Sequence, residues 1–438
     1  MDGPAQASAR RRPAIIADRK ANDVPRSLRR YLSLEDFEKR ALRHLPLPIA
    51  GYVEGAVETG KALRNAEEAF RRIALAPRIL RDVSDRTTQT TLFGAEYAVP
   101  FGVAPMGFSA LAAYDGDVAL ARGAAASGSF AICSAASLTP LERVAEEGAS
   151  RWFQCYVPGD NARIEALLKR LRDANYDTLV VTADVPVTGN RENNARNGFD
   201  APFRLTPRLA WHFATHPRWT LGTLGRTLAA SGMPHFENMD AERGPPLFSR
   251  TLTRSTIGRD RLTWENMSFI RERWPGRLVI KGVLCPEDAT RAAGVGVDGI
   301  VVSSHGGRQL DGAIAPLDAL PDIRAAVPEL TVMLDGGIRR GTDVLKALAA
   351  GADFVFLGRP FLYAAAVAGD AGVAHAFRLL RQEIDLSMAL LGITGVNELG
   401  LRNQAQLLHV MAQAKREAND GNTPIVAAPS GGVPTWSE

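Results

Sequence analysis

The sequence predicts an α/β protein built as a closed (β/α)8 barrel, and three features of the chain support this fold class. Eight short runs rich in apolar residues follow one another from Phe101 onward, and each is apolar throughout, as strands buried on both faces are. Amphipathic helical stretches separate most of these runs. All but one of the steps between strands span about 20 to 30 residues, which a strand–helix–strand unit requires. An open, doubly wound parallel sheet is the alternative architecture.

The predicted elements follow in chain order. Ser33 is the expected cap of a helix that begins at Leu34, and helical, turn-rich chain continues to Val99. The eight predicted strands are Phe101–Ala104, Phe130–Cys133, Trp152–Val157, Thr178–Thr182, Arg277–Ile280, Gly299–Val302, Thr331–Leu334 and Asp353–Leu357. The predicted helices between them are Asp115–Ala126, Pro140–Glu147, Asn161–Asn175, Thr263–Trp274, Pro286–Gly294, Pro316–Ala326 and Gly341–Ala350.

One step between strands is far longer than the others. It runs from Asp184 to Arg277, and its last part, Thr263–Trp274, has the pattern of the barrel helix that belongs there. Residues from about 190 to 261 are therefore predicted to form an insertion after strand 4. Loops of this length in a compact domain are active-site lids, binding surfaces or disordered segments.

The charge distribution separates the termini from the fold. The formal net charge is +4, yet residues 1–31 carry eight Lys or Arg against three Asp, so the remainder is close to neutral. We predict a basic flexible arm over 1–32, a barrel domain over 33–415 and a flexible Pro/Gly/Ser-rich tail over 416–438. A solvated arm explains the basic residues better than a nucleic-acid site does.

The cysteines and the N-terminus predict a compartment. Cys133, Cys155 and Cys285 are odd in number and show no metal-ligand spacing, which favours a reducing, cytoplasmic environment and no metal site. No apolar segment follows the basic N-terminus, so we expect no secretory signal.

Polar and glycine residues follow the predicted strands, at the end where barrel enzymes build their sites. In strand order they are Ala104-Pro105-Met106-Gly107, Gln154 and Tyr156, Thr182, Asp184 and Arg191, Lys281, Ser303-Ser304-His305-Gly306-Gly307-Arg308, Asp335-Gly336-Gly337-Ile338-Arg339, and Gly358-Arg359-Pro360. Because the carboxyl ends of the strands meet at one mouth of a barrel, these residues predict a single site.

The loops after the last two strands predict a phosphate site. Gly336, Gly337 and Gly358 allow a close approach of the backbone, and Arg339 and Arg359 supply positive charge. Barrels commonly bind phosphate at this position. Taken singly, each glycine pair would be a tight turn.

A general base and a pair of guanidinium groups complete the predicted site. His305 is the candidate base, because imidazole titrates near neutral pH and Asp184 is available to orient it. Arg308 and Arg191 are candidates to bind a carboxylate in bidentate fashion. Lys281 would stabilise negative charge on a bound ring system, or else form a salt bridge to a barrel aspartate.

The order of these motifs resembles the FMN-dependent L-2-hydroxy acid dehydrogenases and oxidases, a family that includes L-lactate dehydrogenase, (S)-mandelate dehydrogenase and glycolate oxidase. The similarity covers about residues 34–401. Its most specific segment is SSHGGRQLD at 303–311, supported by LDGGIRRG at 334–341 and LGRP at 357–360.

The resemblance implies a bound FMN and roles for individual residues. His305 would take the proton of the substrate hydroxyl, held by Asp184, and two arginines and two tyrosines would bind the substrate. The catalytic and substrate-binding residues it implies are His305, Asp184, Tyr156, Arg191, Arg308 and Tyr52. The FMN-binding residues it implies are Ala104, Pro105, Met106, Cys133, Gln154, Thr182, Lys281, Ser303, Asp335, Gly336, Gly337, Arg339, Gly358 and Arg359. Whether proton removal is concerted with hydride transfer or produces a carbanion stays open.

Three positions bear on how this chain differs within the family. Cys133 stands where many members carry Ser, so one hydrogen bond to the flavin would be weaker. Ala135 stands where glycolate oxidase has a bulky aromatic residue, which would open the pocket to larger substrates, as in mandelate dehydrogenase. Gly107 stands where oxidases carry Ala, and Gly there accompanies slow reaction with oxygen, which favours a quinone or other carrier as electron acceptor.

The insertion resembles, in position, the membrane-binding segment of mandelate dehydrogenase. Residues 202–236 contain no acidic residue, and a basic, aromatic segment suits an anionic membrane interface. The side chains concerned are Arg204, Arg208, Arg218, Arg226, Phe203, Trp211, Phe213 and Trp219. A lid or an oligomer contact is the alternative. The resemblance also implies a homotetramer, here cytoplasmic and peripheral on the inner face of the cell membrane.

These features predict FMN-dependent oxidation of an L-2-hydroxy acid, of the L-lactate or (S)-mandelate type, to the 2-oxo acid, with electrons passed to a quinone or other carrier. An oxidase that produces hydrogen peroxide is the first alternative. Flavin-dependent oxidation of an amine or a modified peptide is disfavoured by the Arg191 and Arg308 pair, which suits a small free carboxylate. A non-catalytic flavoprotein scaffold is disfavoured by the intact His305 and Asp184.

Overall fold

The computed structural model describes residues 24–148, 151–199, 206–247 and 259–399. Its strands are β1 Thr90–Leu92, β2 Ala95–Tyr97, β3 Phe101–Val103, β4 Ile132–Ser134, β5 Trp152–Cys155, β6 Thr178–Thr182, β7 Arg277–Val283, β8 Gly299–Val302, β9 Thr331–Asp335 and β10 Phe354–Leu357. Strands β3 to β10 form one parallel sheet in the order β3-β10-β9-β8-β7-β6-β5-β4. A parallel bridge between Val103 and Ala131 joins the two edges. The predicted (β/α)8 barrel is thus confirmed, and the open sheet is wrong.

Helices cover the barrel. They are α1 Leu34–His44, α2 Leu47–Glu54, α3 Lys61–Arg71, α4 Ser109–Ala112, α5 Gly116–Ala126, α6 Leu141–Gly148, α7 Asn161–Asp173, α8 Glu192–Asn197, α9 Pro207–Thr215, α10 Pro217–Trp219, α11 Arg226–Ser231, α12 Trp264–Arg273, α13 Pro286–Val295, α14 Pro316–Ala326, α15 Gly341–Ala349 and α16 Arg359–Leu391, which is kinked at Ala368–Gly369. The predicted cap of α1 is confirmed, because Ser33 and Asp36 form a reciprocal capping box. The predicted α14 coincides with the observed helix.

Sequence reasoning missed a hairpin before the barrel. We expected helical, turn-rich chain up to Val99, but β1 and β2 pair there in antiparallel fashion. The hairpin side chains of Phe93 and Tyr97 pack at a tilt against Trp152 and Phe130, at centroid distances of 5.7 and 4.9 Å. The hairpin therefore closes the barrel at the end opposite the predicted site, where the pattern of such short strands is too brief to recognise.

Side chains of the barrel strands alternate between the interior and the helical layer. Apolar interior residues form a core of their own: Ile132, Trp152, Val180, Val279, Val301, Met333, Phe354 and Phe356, with Phe130. Two residues further along six of these strands, the inward positions at the carboxyl end are polar: Ser134, Gln154, Thr182, Lys281, Ser303 and Asp335. The barrel thus changes from an apolar plug to a polar floor at the predicted mouth.

The predicted boundary of the N-terminal arm is wrong for its last residues. Val24, Leu28 and Tyr31 are buried in the main core, and Nε2 of His375 in α16 lies 2.9 Å from the Tyr31 carbonyl. The packed chain therefore includes residues 24–32, which we assigned to the arm. Residues 1–23 and the predicted tail lie outside the described residues.

The insertion packs against the barrel through its middle part. Trp219 is buried and donates from its indole nitrogen to the Leu111 carbonyl at 2.8 Å, and Arg226 lies 3.8 Å from the ring centroid of Tyr114. Both residues therefore serve intramolecular packing, which corrects their assignment to a membrane-facing set. The residues at 202–205 lie outside the described part. No described helix is long and apolar enough to span a membrane.

Candidate functional site

A cavity opens at the carboxyl ends of the barrel strands, with a volume of about 1120 Å³ that includes its mouth. It is lined by most of the residues predicted for the site: Tyr52, Ala104, Pro105, Met106, Gln154, Tyr156, Thr182, Arg191, Lys281, His305, Arg308, Asp335, Gly336, Gly337, Arg339, Gly358 and Arg359. Asp184 and Ser303 stand directly behind this wall, and Cys133 does not face it.

Cys133 occupies the wrong face of its strand to contact a ligand in the cavity. It lies in β4 with its side chain in the outer core, beside Asp117 of α5, and burial raises the pKa of its thiol. The neighbouring Ser134 points inward and donates to Oε1 of Gln154 at 2.9 Å. The error is one residue of register, which moves a side chain to the opposite face of a strand. The predicted loss of a flavin hydrogen bond at Cys133 is therefore withdrawn.

A buried ion pair stands at the centre of the polar floor. Nζ of Lys281 lies 2.9 Å from Oδ2 of Asp335 and donates to Oγ of Ser303 at 2.6 Å. Burial lowers the pKa of Lys281, but Asp335 and Asp184 outweigh that effect and raise the pKa above its ordinary value. Lys281 therefore carries a positive charge at the cavity wall. It also forms the salt bridge to a barrel aspartate that was the alternative prediction for this residue.

His305 and Asp184 form the pair that the sequence suggested. Nδ1 of His305 lies 2.9 Å from Oδ1 of Asp184. Burial raises the pKa of Asp184, but the neighbouring His305 and Lys281 outweigh it and hold the pKa below its ordinary value. Since the carboxylate only accepts hydrogen bonds, Nδ1 carries the proton in neutral His305, and Nε2 has the free lone pair.

A backbone irregularity makes room for this pair. The ladder between β7 and β8 shifts register after Lys281, and Gly282 there has a φ of +103°. A Cβ on Gly282 would lie 2.6 Å from Cβ and Cγ of Asp184. The bulge therefore lets the carboxylate sit against β7.

Arg308 is a guanidinium held only by neutral groups. Its Nη1 donates to the carbonyls of Tyr52 and Gly55 at 2.8 and 2.7 Å. Its Nη2 is buried without a hydrogen-bond partner among the described residues. Burial and the charges of Arg191 and Arg359 lower the pKa of Arg308. A buried cation with a free donor is stabilised by an anion, and a carboxylate can accept from that donor.

A second group of positive charges lies beside Arg308, since Arg359 and Arg308 both donate to the Gly55 carbonyl. Arg359 donates to the carbonyls of Val53, Gly306 and Gly55 at 3.0, 3.0 and 2.8 Å, and Arg339 pairs with Glu67 at 2.9 Å. Helix α16 begins here, so its first amide groups and its dipole favour an anion. Together with the glycines after β9, this arrangement suits a phosphate group.

Aromatic side chains lie near Arg308, whose guanidinium carbon is 4.8 Å from the ring centroid of Tyr52. Tyr52 stacks on Phe199 at 4.3 Å and meets Phe108 edge to face, while its hydroxyl donates to the Gly107 carbonyl at 3.3 Å. Sequence reasoning missed Phe108 and Phe199 because single aromatic residues in loops carry no periodic signal. Arg259 of the insertion, also missed, lies 4.3 Å from the ring centroid of Tyr156.

The pocket position that we assigned to Ala135 belongs to Ala136. Ala135 lies in the outer core with 1% exposure, whereas Ala136 lines the cavity. A Cβ added to Gly107 would lie 2.7 Å from Cβ of Ala136 and 3.4 Å from the Tyr52 hydroxyl. The small residues that keep the cavity open are therefore Gly107 and Ala136.

The polar floor fits an FMN group. Nε2 of Gln154, Oγ1 of Thr182 and Oδ1 of Asp335 are buried without a hydrogen-bond partner in the described chain. Leaving such groups unpaired costs about 1–3 kcal/mol each, so a polar ligand is needed to satisfy them. A flavin mononucleotide presents ring carbonyls and nitrogens, ribityl hydroxyls and a phosphate, which match these atoms and the arginine corner. Among the described residues, no group of three His, Cys, Asp or Glu is placed to hold a metal.

Known proteins are similar to this chain in sequence and in fold. A family model described as FMN-dependent dehydrogenase matches residues 41–406. An L-lactate dehydrogenase of Pseudomonas aeruginosa is 40% identical over 375 residues, which covers 83% of this chain and 95% of the relative. One of Xanthomonas euvesicatoria pv. vesicatoria is also 40% identical, with 83% and 94% covered.

Solved structures agree with this comparison. The monotopic membrane protein (S)-mandelate dehydrogenase superposes with a TM-score of 0.76 at 32% identity, covering 85% of this chain and 98% of that chain. Mandelate oxidase with (S)-2-phenylpropionate superposes with a TM-score of 0.70 at 35% identity, covering 84% and 97%.

Proposed function

The chain belongs to the family of FMN-dependent dehydrogenases, and from that premise we propose that it oxidises an L-2-hydroxy acid to the 2-oxo acid. One observation carries the proposal. The His305–Asp184 pair and the free donor of Arg308 belong to one cavity whose floor fits FMN. A base next to a carboxylate site is what removal of a proton from a hydroxyl beside a carboxylate requires.

The two arginines and the tyrosines would bind the substrate. Arg308 offers Nη2, and Arg191 lines the same part of the cavity, so both can donate to a carboxylate. Tyr52 and Tyr156 bound the space beside them, and burial raises the pKa of Tyr156, which keeps its hydroxyl a donor. This arrangement orients the substrate hydroxyl relative to the base.

His305 would accept the hydroxyl proton at Nε2. Asp184 accepts the hydrogen bond from Nδ1–H of His305 and stabilises the imidazolium that forms. Bound FMN would supply the acceptor for the two electrons, a capacity that no amino acid side chain has. Gln154, Thr182, Ser134, Ser303 and Asp335 would hold its ring and ribityl chain, with Ala104 to Met106 alongside, and the charge of Lys281 would stabilise negative charge on the ring.

We propose a quinone or another carrier as the final electron acceptor. Gly107 supports this acceptor, because Gly at this position accompanies the family members that react slowly with oxygen. The relatives named L-lactate dehydrogenase support it as well. An oxidase that uses oxygen is the second candidate, favoured by the similarity to mandelate oxidase. Substrates of both the L-lactate and the (S)-mandelate type are candidates, since the chain is similar to an L-lactate dehydrogenase and to (S)-mandelate dehydrogenase.

We propose that the insertion contacts a membrane from one side. Trp211 and Leu221 are 68% and 73% exposed, and Leu228 and Met233 are each 40% exposed. These four residues, the insertion patch, leave apolar surface on a segment without acidic residues over 202–236. The likeness to a monotopic membrane protein supports the same view. A homotetramer on the cytoplasmic face of the membrane belongs to this proposal as well.

An anaerobic titration of the purified flavoprotein tests the proposal. Glycolate, L-lactate, (S)-mandelate and longer L-2-hydroxy acids are added separately while the absorbance of the oxidised flavin is followed. We expect rapid bleaching by at least one of them, and slow recovery when oxygen is admitted. Rapid recovery with formation of hydrogen peroxide would establish the oxidase instead. Bound FMN that no hydroxy acid bleaches would refute the substrate class.

A further inference from the structure

Gln309, in the loop after β8, connects two segments of the site. Its amide nitrogen donates to the carbonyls of Asp184 and Val187 at 3.1 and 3.0 Å. Its amide oxygen accepts from Nη2 of Arg191 at 2.9 Å. One side chain thus binds both the loop after β6, which carries Asp184, and the guanidinium of Arg191. Gln309 itself is not part of the cavity wall.

Arg191 has no carboxylate to hold it in the described structure. Its other hydrogen bond runs from Nε to the Arg308 carbonyl at 3.2 Å. An arginine side chain has about 2 kcal/mol of rotamer entropy, so a guanidinium without an ion pair needs other contacts to keep one orientation. Gln309 provides such a contact and is neutral. A carboxylate at this position would pair with Arg191 and compete with an anionic substrate for its charge.

The backbone at Gly189 also lies close to the loop that carries Gln309. A Cβ on Gly189 would lie 2.6 Å from the Arg308 carbonyl oxygen and 2.8 Å from that of Gln309. The loop between Asp184 and Arg191 therefore lies directly on residues 308–309, and only a residue without a side chain permits this approach. Gln309 is placed where it sets the position of that loop and of Arg191 together.

We propose that Gln309 is a positioning residue for recognition of the substrate carboxylate. It holds Arg191 in the orientation that binds the carboxylate and leaves the positive charge of the guanidinium available. This inference rests on the proposed function, in which Arg191 and Arg308 bind that carboxylate. Gln309 lies outside the cavity wall, so it would act on the substrate only through the orientation of Arg191.

The test measures anion binding rather than turnover alone. Oxalate, a dicarboxylate without a hydrogen to lose, is titrated into FMN-loaded enzyme, and its Kd is read from the perturbed flavin absorbance. Gln309→Met keeps the length of the side chain and removes both hydrogen-bonding groups. We expect the Kd of oxalate and the KM of the substrate to rise about tenfold, which corresponds to one hydrogen bond to a charged group. FMN content should not change, and kcat should change much less than KM.

Gln309→Glu is the second variant. It keeps an acceptor for Arg191 but adds a negative charge there and loses the donor to the two carbonyls. We expect oxalate to bind at least as weakly as in Gln309→Met, because the charge of Arg191 is neutralised. Leu310→Ala, at the adjacent side chain with 70% exposure, is the matched control and should leave the Kd within about twofold.

A double-mutant cycle with Arg191→Met separates this inference from the proposed function. We expect Arg191→Met to weaken oxalate binding, and Gln309→Met to have no further effect in that background. If Arg191→Met leaves the Kd of oxalate unchanged, the carboxylate assignment in the proposed function is wrong. If Arg191→Met weakens binding but Gln309→Met does not, or if the two effects simply add, the positioning role alone is refuted.

Discussion

His305 depends for its chemistry on the hydrogen bond that Asp184 accepts from it, 2.9 Å long. Because the pKa of Asp184 lies below its ordinary value, the aspartate stays ionised across the range in which an imidazole titrates. The tautomer with a free Nε2 is therefore maintained, and positive charge on the ring is stabilised when a proton arrives.

Replacing His305 by Gln should separate cofactor binding from catalysis. We expect FMN to remain bound, since the floor residues stay in place, while flavin reduction by the substrate slows by about 10²- to 10⁴-fold. Stopped-flow measurement of the flavin absorbance gives this rate. His235→Gln, at a half-buried histidine of the insertion outside the cavity wall, is the control and should reduce at the wild-type rate. Wild-type reduction in His305→Gln would exclude it as the base.

The size of the residue at 136 should decide which hydroxy acids enter. Ala136 lines the cavity beside Gly107, so Ala136→Leu places three more carbons next to the substrate. We expect kcat/KM for (S)-mandelate to fall at least tenfold more than for L-lactate, since the methyl group of lactate needs less room. Lactate serves as the internal control. Equal losses on both substrates would show that this wall does not contact the substrate side chain.

Asp117 makes stability depend on pH. Burial raises its pKa from 3.8 to about 6, although the hydroxyls of Ser137, Thr139 and Ser109 act in the opposite direction. Because the folded-state pKa is the higher one, its contribution is fully present below pH 3.8 and is lost as the pH rises through about 6. At 1.36 kcal/mol per pKa unit, the loss is on the order of 3 kcal/mol.

Asp117→Asn should therefore gain free energy of unfolding relative to wild type between pH 4 and pH 7. Urea unfolding of both proteins at the two values measures the difference. Asn keeps an oxygen that can accept the hydrogen bond from Oγ1 of Thr139, so the comparison isolates the ionisation. Parallel pH dependences of the two proteins would show that Asp117 does not titrate in this window.

At the scale of elements, the two-residue alternation of strands decides which side chains form the site. Strand β4 illustrates the sensitivity, because Cys133 faces Asp117 while Ser134 reaches Gln154. Just after this strand, the residue predicted to line the pocket was Ala135, but the cavity is lined by Ala136, which again is a shift of one residue. Strand ends are assigned from sequence with an uncertainty larger than this, so orientation there requires the tertiary structure.

The insertion patch should determine membrane binding. Trp211→Ser combined with Leu221→Ser removes its two most exposed apolar side chains, and we expect the protein to move from the pellet to the supernatant when sedimented with anionic vesicles. Ile79→Ser with Leu80→Ser, 81% and 99% exposed before substitution, is the matched control from another loop and should sediment as wild type does. Flavin reduction by substrate should be unchanged in both. Loss of binding in the control instead would place the membrane contact at the loop of Ile79 and Leu80.

At the scale of the whole molecule, one end of the barrel is closed by apolar residues and the other collects charge. The hairpin β1–β2 covers the first end. The second end holds Lys281 and four arginines, of which Arg308 and Arg359 are bound by backbone carbonyls. Like charges that face one cavity repel each other, so an anionic ligand there stabilises the entire fold.

Removal of FMN should consequently lower the stability of the whole protein. A ligand at a concentration 100-fold above its Kd adds about 2.7 kcal/mol, and we expect Tm to fall on removal of FMN and to recover on its return. Riboflavin, which lacks the phosphate, is the matched ligand and should restore much less, because Arg359, Arg339 and the first turn of α16 then have no phosphate to bind. Equal recovery with riboflavin would contradict a phosphate site at that corner.

The barrel, the order of its elements and most of the residues that line the cavity can be predicted from the sequence alone. Eight apolar runs, separated by amphipathic helices, specify a parallel sheet buried on both faces, and a barrel brings the residues after those runs to one mouth. Local chemistry is sufficient for this, because apolar periodicity and turn residues act over short stretches of chain.

The face that each strand-end residue takes, and the contacts that hold the site together, depend on how distant segments pack. The cavity is faced by Ser134 rather than Cys133 and by Ala136 rather than Ala135, because of where strand β4 ends. The hydrogen bond from Arg191 to Gln309 joins segments that are distant in the sequence. The packing of residues 24–32 and the burial of Trp219 are of the same kind. Such contacts depend on the angle at which elements meet, and no local pattern in a sequence encodes that angle.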